Sequence, residues 1–131
     1  MTASQKGMPL MSGDPRQKVF RDHRPWGEFQ QFTLNQETTV KVITVAPGQR
    51  LSLQRHEQRG ERWQVLDGAL EVTVGEETWV APAGELVWIP CGATHRAANP
   101  GDDMVRFLEI AFGVFDEDDI ERLEDDYQRL P

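Results

Sequence analysis

The chain of 131 residues has little of several sequence features, and each shortage excludes a class of protein. Its single cysteine, Cys91, excludes an internal disulfide framework and is typical of a reducing compartment. No apolar run approaches the roughly 20 residues that a membrane-spanning helix needs. The N-terminal stretch contains Lys6 but lacks the apolar segment of a secretory signal. These absences predict a cytoplasmic protein that does not insert into a membrane.

Positive charge is also in short supply, with 14 Lys and Arg residues against 22 Asp and Glu residues and a net charge of −8. Residues 116–131 carry eight of the acids and only two arginines, so the rest of the chain is close to neutral. Without a basic face, the chain is not expected to bind nucleic acid. A hydrophobic fraction of 38% predicts one globular domain that can bury a core.

The chain is rich in short β-strand patterns that are separated by glycine and proline turns. Residues 38–45 contain many β-branched residues, and residues 69–74 alternate between apolar and polar side chains. Further strands are predicted at 28–34, 61–66, 78–81, 85–89, 94–98 and 104–112. Many short strands with such turns are typical of an all-β barrel or a double-sheet jelly roll.

The two ends of the chain differ from this pattern. Residues 1–17 have no hydrophobic periodicity and predict a flexible N-terminal arm, which leaves 18–131 as a single domain with its barrel at about 24–112. Residues 116–129 predict a short C-terminal helix that is capped by Asp116 and acidic in its first turn. The apolar stripe of this helix would consist of Ile120, Leu123, Tyr127 and Leu130.

Residues 48–68 contain side chains of the kinds that bind divalent metals. Gln54 and His56 are two residues apart, so in a strand they project to the same face. Glu61 follows a polar turn and begins the next strand, from which it can face back toward His56. In the later segment 84–99, His95 is the only residue of a kind that binds metals strongly. An amide oxygen, two imidazoles and a carboxylate suit Zn, Mn, Fe, Ni or Co, with Gln54 either a ligand or a neighbour of the ligands.

These segments resemble the two sequence motifs of the cupins. The first motif, Gly-x5-[His]-x-His-x4-Glu-x6-Gly, fits at 48–68 with Gln54 in a position where most cupins have histidine. The second motif, Gly-x5-Pro-x-Gly-x2-His-x3-Asn, fits with Gly84, Pro90, Gly92, His95 and Asn99. The resemblance implies a cupin jelly-roll β-barrel that holds one divalent metal ion. The ligands that it implies are Gln54, His56, Glu61 and His95.

From Arg24 to about Arg129, the chain resembles one cupin branch in particular. This branch is the phosphomannose isomerase domain at the C-terminus of bifunctional mannose-1-phosphate guanylyltransferases, which also occurs alone. The resemblance is carried by residues 24–27, 47–48, 51–54, Arg59, Glu61, Trp63, 89–90, His95 and 117–120. The branch uses the same Gln-x-His pair. No glycine-rich nucleotide-binding segment precedes residue 24, so we expect a stand-alone protein without GTP chemistry.

The resemblance implies an isomerase that interconverts mannose-6-phosphate and fructose-6-phosphate in polysaccharide precursor metabolism. It favours Zn as the metal, a sugar phosphate as the substrate and a homodimer as the assembly. Candidate catalytic residues are Arg59, which would hold the phosphate or the enediolate, Lys41, which would act in proton transfer, and Glu109, which would face inward. Arg62 is an alternative to Arg59, although strand alternation from Glu61 turns it away. Each of these residues is alternatively a solvated surface charge.

Four positions depart from the pattern of the branch. Glu57 and Gln58 stand in a run that is usually rich in histidine, Arg62 replaces a histidine, and Ala111 replaces a glutamine. These changes keep the ligands but alter the candidate substrate contacts. Two alternatives to the isomerase therefore remain open. One is a non-catalytic or regulatory cupin that binds a sugar or small acid at the metal, and the other is a different metal-dependent cupin enzyme, such as an oxygenase.

Overall fold

The computed structural model describes residues 19–128, which fall into two compact units, 19–37 and 38–128. The described residues form eleven strands and no helix, so none of them could cross a membrane as a helix, and the all-β class is confirmed. The strands β1 to β11 are Phe20–Arg24, Gly27–Gln31, Thr38–Val45, Leu53–Arg55, Arg59–Asp67, Ala69–Val74, Glu77–Pro82, Leu86–Ile89, His95–Ala98, Val105–Gly113 and Glu121–Glu124. The predicted arm at 1–17 lies outside the described residues, and the predicted domain limits stay predictions.

The smaller unit is an antiparallel hairpin of β1 and β2. Arg24 is opposite Gly27, so Pro25 and Trp26 form its tip. The interpretation of residues 24–27 as a turn is therefore confirmed. Strand β1 was not predicted, because its sequence shows no apolar alternation.

The larger unit consists of two antiparallel sheets. One sheet has the strand order β3-β10-β5-β8, and the other has the order β11-β4-β9-β6-β7. Both sheets contribute to one buried core, which includes Val45, Trp63, Val65, Val87, Ile89 and Phe107 from the first sheet and Leu70, Val72, Trp79, Ala81 and Ala97 from the second. The core therefore lies between the sheets, as expected for a jelly roll.

The register of the four-stranded sheet places polar residues beside this core. Glu109 on β10 lies directly opposite Lys41 on β3 and Trp63 on β5. Residues directly opposite one another in antiparallel strands point to the same face. The next row of side chains on this face of the sheet is apolar, and the fully buried Phe107 lies at its centre. Lys41 and Glu109 thus lie beside the core on the inner face of the sheet, in the same row as the core residue Trp63.

The prediction of a C-terminal helix is wrong. Residues 116–128 contain turns and the strand β11, in which Arg122 lies opposite Gln54 of β4. The backbone of β11 therefore bonds to the open edge of β4 rather than to its own preceding turn, and this nonlocal pairing overrides helix propensity. The expected apolar stripe is not a buried face, since Leu123 and Tyr127 are 44% and 48% exposed.

Candidate metal centre and active site

One cavity in the larger unit is lined by all seven residues that the sequence indicated as ligands or catalytic groups. They are Lys41, Gln54, His56, Arg59, Glu61, His95 and Glu109. The side chains come from β3, β5 and β10 of one sheet, from β4 and β9 of the other, and from the residue that follows β4. The structure therefore brings every predicted site residue together, while their individual roles stay predictions.

Three of these residues are placed where they could hold a metal ion. The ligand atoms of His56, Glu61 and His95 all lie within 4.8 Å of one another, and all three residues are buried. The Nε2 atom of His56 is 3.4 Å from one carboxylate oxygen of Glu61, and the Nε2 atom of His95 is 3.6 Å from the other. Nitrogen and oxygen donors in this combination suit Zn²⁺ and other first-row divalent ions.

Backbone contacts fix the tautomer of both histidines. The Nδ1 atom of His56 is 2.7 Å from the carbonyl oxygen of Asp119, and that of His95 is 3.0 Å from the carbonyl oxygen of Ala93. A carbonyl oxygen only accepts, so each neutral ring carries its proton on Nδ1 and leaves Nε2 as an acceptor. Both Nε2 atoms then face the acceptor oxygens of Glu61. Arg59 supplies part of the positive charge that these acceptors need, since it donates to His56 Nε2 and to one oxygen of Glu61. The convergence of two Nε2 atoms and a carboxylate in one buried cluster fits a divalent metal.

Burial, charge and hydrogen bonding shift the pKa values of the buried groups in the cavity. Burial opposes ionisation of Glu61, but the attraction of His95 and His56 and the hydrogen bonds to the carboxylate outweigh it, so the pKa of Glu61 is lowered. Burial lowers the pKa of His95. Burial and the nearby charge of Glu61 raise the pKa of Glu109 to about 8. Two neighbouring carboxyl groups therefore differ in how readily they ionise.

Arg59 is the cation that contacts the metal-ligand cluster. It donates from Nε to Glu61 at 3.1 Å and from Nη2 to His56 Nε2 at 3.3 Å. Its Nη1 donates to the carbonyl oxygen of Asp116 at 3.2 Å, and the guanidinium lies 4.2 Å from the ring centroid of Phe115. Only 7% of Arg59 is exposed, so it is not a solvated surface charge.

Lys41 and Glu109 face the same cavity from adjacent strands. The ammonium group of Lys41 is 3.6 Å from the carboxylate of Glu117 and 4.5 Å from the ring centroid of Phe115. The carboxyl group of Glu109 accepts a hydrogen bond of 3.2 Å from Trp63 Nε1. Glu109 is buried, whereas the side chain of Lys41 is 42% exposed and lies nearer the solvent.

The four positions that depart from the cupin branch lie in different surroundings. Arg62 is buried on the opposite face of β5 and does not line the cavity, as strand alternation predicted. Glu57 and Gln58 are exposed. Ala111 is buried, lies directly opposite Glu61 and shares the inner face of β10. Of the four departures, only the one at Ala111 alters the interior beside the cluster.

Hydrogen bonds hold the two motif segments together close to His56 and His95. Gly92 donates its N–H to the carbonyl oxygen of His56 at 2.7 Å and has a φ of +81°, which glycine adopts without strain. The side-chain amide of Asn99 donates to the carbonyl oxygens of Val45 and Asp103 at 3.0 and 2.7 Å. These contacts give the motif spacing a structural reason, because they fix the turns that precede and follow β9.

Residues 114–122, which we call the closing segment, contribute side chains to the cavity and were not predicted as part of the site. Phe115 and Glu117 contact the cations of the cavity, and Ile120 and Arg122 line it directly. Asp119 bonds to His56 and to the loop after it. One feature of the sequence did point to this segment: the resemblance to the cupin branch continues through 117–120, beyond the last strand predicted from the sequence.

A family model described as mannose-6-phosphate isomerase C-terminal matches residues 13–125. Curated relatives include the xanthan biosynthesis protein XanB of Xanthomonas campestris, which is 44% identical over 108 residues, covering 82% of this chain and 23% of XanB. The alginate biosynthesis protein AlgA of Pseudomonas aeruginosa is 43% identical, with 82% and 22% covered. The mannose-1-phosphate guanylyltransferase ManC of Salmonella typhimurium is 39% identical, with 82% and 23% covered. The chain thus spans about a quarter of the length of these relatives.

Solved structures resemble the fold at lower identity. The capsular polysaccharide assembling protein CapF of Staphylococcus aureus superposes with a TM-score of 0.62 at 22% identity, covering 81% of this chain and 34% of CapF. A sugar phosphate isomerase of the cupin superfamily from Silicibacter pomeroyi gives 0.55 at 24% identity, covering 59% and 51%. Similarity at this level of identity shows the fold alone, and the cupin fold expected from the motifs is confirmed.

Proposed function

This chain belongs to the mannose-6-phosphate isomerase C-terminal family, and we propose that it is a metal-dependent isomerase that interconverts mannose-6-phosphate and fructose-6-phosphate. The observation that carries the proposal is the buried cluster of His56, Glu61 and His95, which shares one cavity with Arg59 and Glu109. The relatives are named for xanthan biosynthesis, alginate biosynthesis and mannose-1-phosphate guanylyl transfer, which supports a role in polysaccharide precursor metabolism.

We assign the metal to His56, Glu61 and His95, with Gln54 as a fourth donor from the same cavity. The family resemblance favours Zn, and the mixed nitrogen and oxygen donors also suit Mn, Fe, Ni or Co. When bound, such an ion would act as a Lewis acid that polarises the carbonyl and hydroxyl oxygens of the sugar. The contacts of the two histidines suit this role, because the Nδ1 atoms bond to carbonyl oxygens and the Nε2 atoms point toward the ligand cluster.

Aldose–ketose isomerisation also needs a group that moves a proton between C1 and C2 of the sugar. Glu109 and Lys41 are the candidates, because they lie directly opposite each other and both line the cavity. Trp63 Nε1 holds the carboxyl group of Glu109, and Phe115 packs against the ammonium group of Lys41. We assign proton transfer to this pair, with Glu109 on the core side and Lys41 on the solvent side.

The negative charge of the substrate requires a cationic partner in the same cavity. Arg59 provides a planar guanidinium fork that suits two oxygens of a phosphate or of an enediolate. Its Nη1 now bonds to the carbonyl oxygen of Asp116, a partner that a substrate oxygen would replace. Lys41 provides a second positive charge near the solvent side, where its present partner is the exposed carboxylate of Glu117.

A non-catalytic cupin that binds a sugar or small acid is the second candidate. Ala111 favours it, because this residue faces the interior directly opposite Glu61, where the branch commonly has glutamine. A methyl group at this position removes one polar side chain from the surroundings of the metal. The cavity would then keep its metal ligands and its cations while lacking a substrate contact.

A coupled assay on the metal-loaded full chain separates the two candidates. The isomerase proposal predicts formation of fructose-6-phosphate from mannose-6-phosphate. If Glu109 moves the proton, Glu109→Gln should reduce turnover at least 100-fold, and if Lys41 moves it, Lys41→Met should do so. Binding of mannose-6-phosphate without turnover, for each of the five candidate metals, would support the non-catalytic cupin instead. Metal content measured on the same samples keeps loss of chemistry distinct from loss of metal.

A further inference from the structure

We propose that Asp119, in the closing segment, is a positioning residue that orients the ligand His56 and thereby sets the metal affinity of the site. This inference rests on the proposed metal site and is independent of the substrate and of the isomerase reaction. Asp119 is 63 positions from His56 along the chain and supplies no atom to the ligand cluster. Its role would be exerted entirely through the residues that it holds.

Asp119 binds three consecutive residues at the point where β4 ends. Its backbone carbonyl oxygen accepts from Nδ1 of His56 at 2.7 Å. Its two carboxylate oxygens accept from the backbone N–H groups of Glu57 and Gln58, both at 2.9 Å. The same residue therefore holds both the imidazole ring and the backbone immediately after it.

Strand β4, which carries this loop, pairs with its neighbour β9 over a short distance only. Strand β4 is three residues long, and its register with β9 has the single pair Gln54 and His95. Gly92 holds the carbonyl oxygen of His56, but a contact to the backbone leaves the ring free to rotate about its side-chain bonds. Within residues 19–128, the partner of the Nδ1 atom is Asp119. Arg59 contacts the Nε2 atom at 3.3 Å, and the direction in which Nε2 points depends on that contact and on where the carbonyl oxygen of Asp119 is held.

The carboxylate holds Asp119 against the loop after β4, and the backbone N–H of Asp119 also donates to the carbonyl oxygen of Asp116 at 3.0 Å. An ionised acceptor makes shorter and stronger hydrogen bonds than a neutral one, and each oxygen of Asp119 has its own N–H partner. An asparagine could accept one of these bonds, but its NH₂ group would face the second N–H. Residues that orient a metal-binding histidine from outside the ligand set typically contribute 10- to 100-fold to metal affinity.

The test is a titration of the full chain with Zn²⁺ in competition with a chromophoric chelator, together with the absorption spectrum of the Co²⁺ form. We expect Asp119→Asn and Asp119→Ala to raise the Kd for Zn²⁺ by about 10- to 100-fold. The Co²⁺ spectrum should also change, because the geometry around the ion is altered. Asp118→Asn is the matched control, since it removes the same charge one residue earlier and leaves the three hydrogen bonds of Asp119 in place.

Circular dichroism and the melting temperature of the metal-free proteins measure any loss of folding separately. A purely structural role would lower the melting temperature of the Asp119 variants while leaving the Kd and the Co²⁺ spectrum unchanged, and that result would overturn the inference. An equal loss of affinity in Asp118→Asn would also overturn it, because charge alone would then be responsible. Failure of the wild type to bind Zn²⁺ or Co²⁺ would instead remove the proposed metal site, and the inference with it.

Discussion

Replacing Arg59 with alanine should remove most of the preference of this site for a phosphorylated hexose over the free sugar. The side chain is buried and presents a guanidinium to the cavity, beside Glu61 and His56. The substitution deletes that cation but keeps the three ligand side chains of the metal. We therefore expect the metal content to stay at about one ion per chain while binding of the sugar phosphate weakens.

The size of the effect follows from the bonds that are lost. A hydrogen bond to a charged group contributes roughly 1.5–3 kcal/mol, and 1.4 kcal/mol corresponds to about a tenfold change in affinity. Losing the equivalent of one such bond gives a reduction of between about 10-fold and 150-fold, because Lys41 and water replace part of the interaction. Arg59→Lys should recover only part of the loss, since an ammonium group does not reproduce the planar fork.

Calorimetric titration with mannose-6-phosphate and with mannose tests this reasoning. The wild type should prefer the phosphorylated sugar, and Arg59→Ala should lose that preference while its affinity for mannose changes little. Arg106→Ala is the control, because Arg106 is an exposed arginine that pairs with Asp67 on β5. Equal affinity of the wild type for both sugars, or an unchanged affinity in Arg59→Ala, would refute the assignment of Arg59 as the phosphate anchor.

Two predictions concern the fold and the assembly. Phe107→Ala should lower the free energy of unfolding by about 3–5 kcal/mol, because a fully buried ring is removed from the core; urea denaturation giving a loss below 1 kcal/mol would contradict that placement. The protein should be a homodimer at micromolar concentration, since β3 is an edge strand on which Val40 and Val42 are 57% and 54% exposed. Light scattering should give the mass of a dimer for the wild type and a larger monomer fraction for Val42→Glu, whereas a monomeric wild type would exclude the dimer.

Local patterns were sufficient to locate most of the sheet structure. The β-branched run from 38 to 45 coincides with β3, and the alternating run from 69 to 74 coincides with β6. The resemblance to the two cupin motifs also implied that His56, Glu61 and His95 share one site, and their ligand atoms lie within 4.8 Å of one another although Glu61 and His95 come from two different sheets.

The sequence did not predict the contacts between residues that are far apart in the chain. Residues 57–60 have the composition of a polar turn, yet β5 begins at Arg59, because β10 extends far enough for Gly113 to pair with it. The same limitation explains the wrong helix, since residues 121–124 join the edge of β4 instead of forming their own helical bonds. The contact of Asp119 with His56 has no local pattern at all, because it joins two segments that are remote in the chain.

Metal analysis of the purified protein tests the central claim most directly, namely that His56, Glu61 and His95 hold one divalent ion. We predict about one ion per chain in the wild type by elemental mass spectrometry. His56→Ala and His95→Ala should each lose that ion while remaining folded by circular dichroism, because two of the three buried donors do not retain it. Stoichiometric metal in both variants, or a wild type that takes up none of the five candidate metals, would contradict the claim.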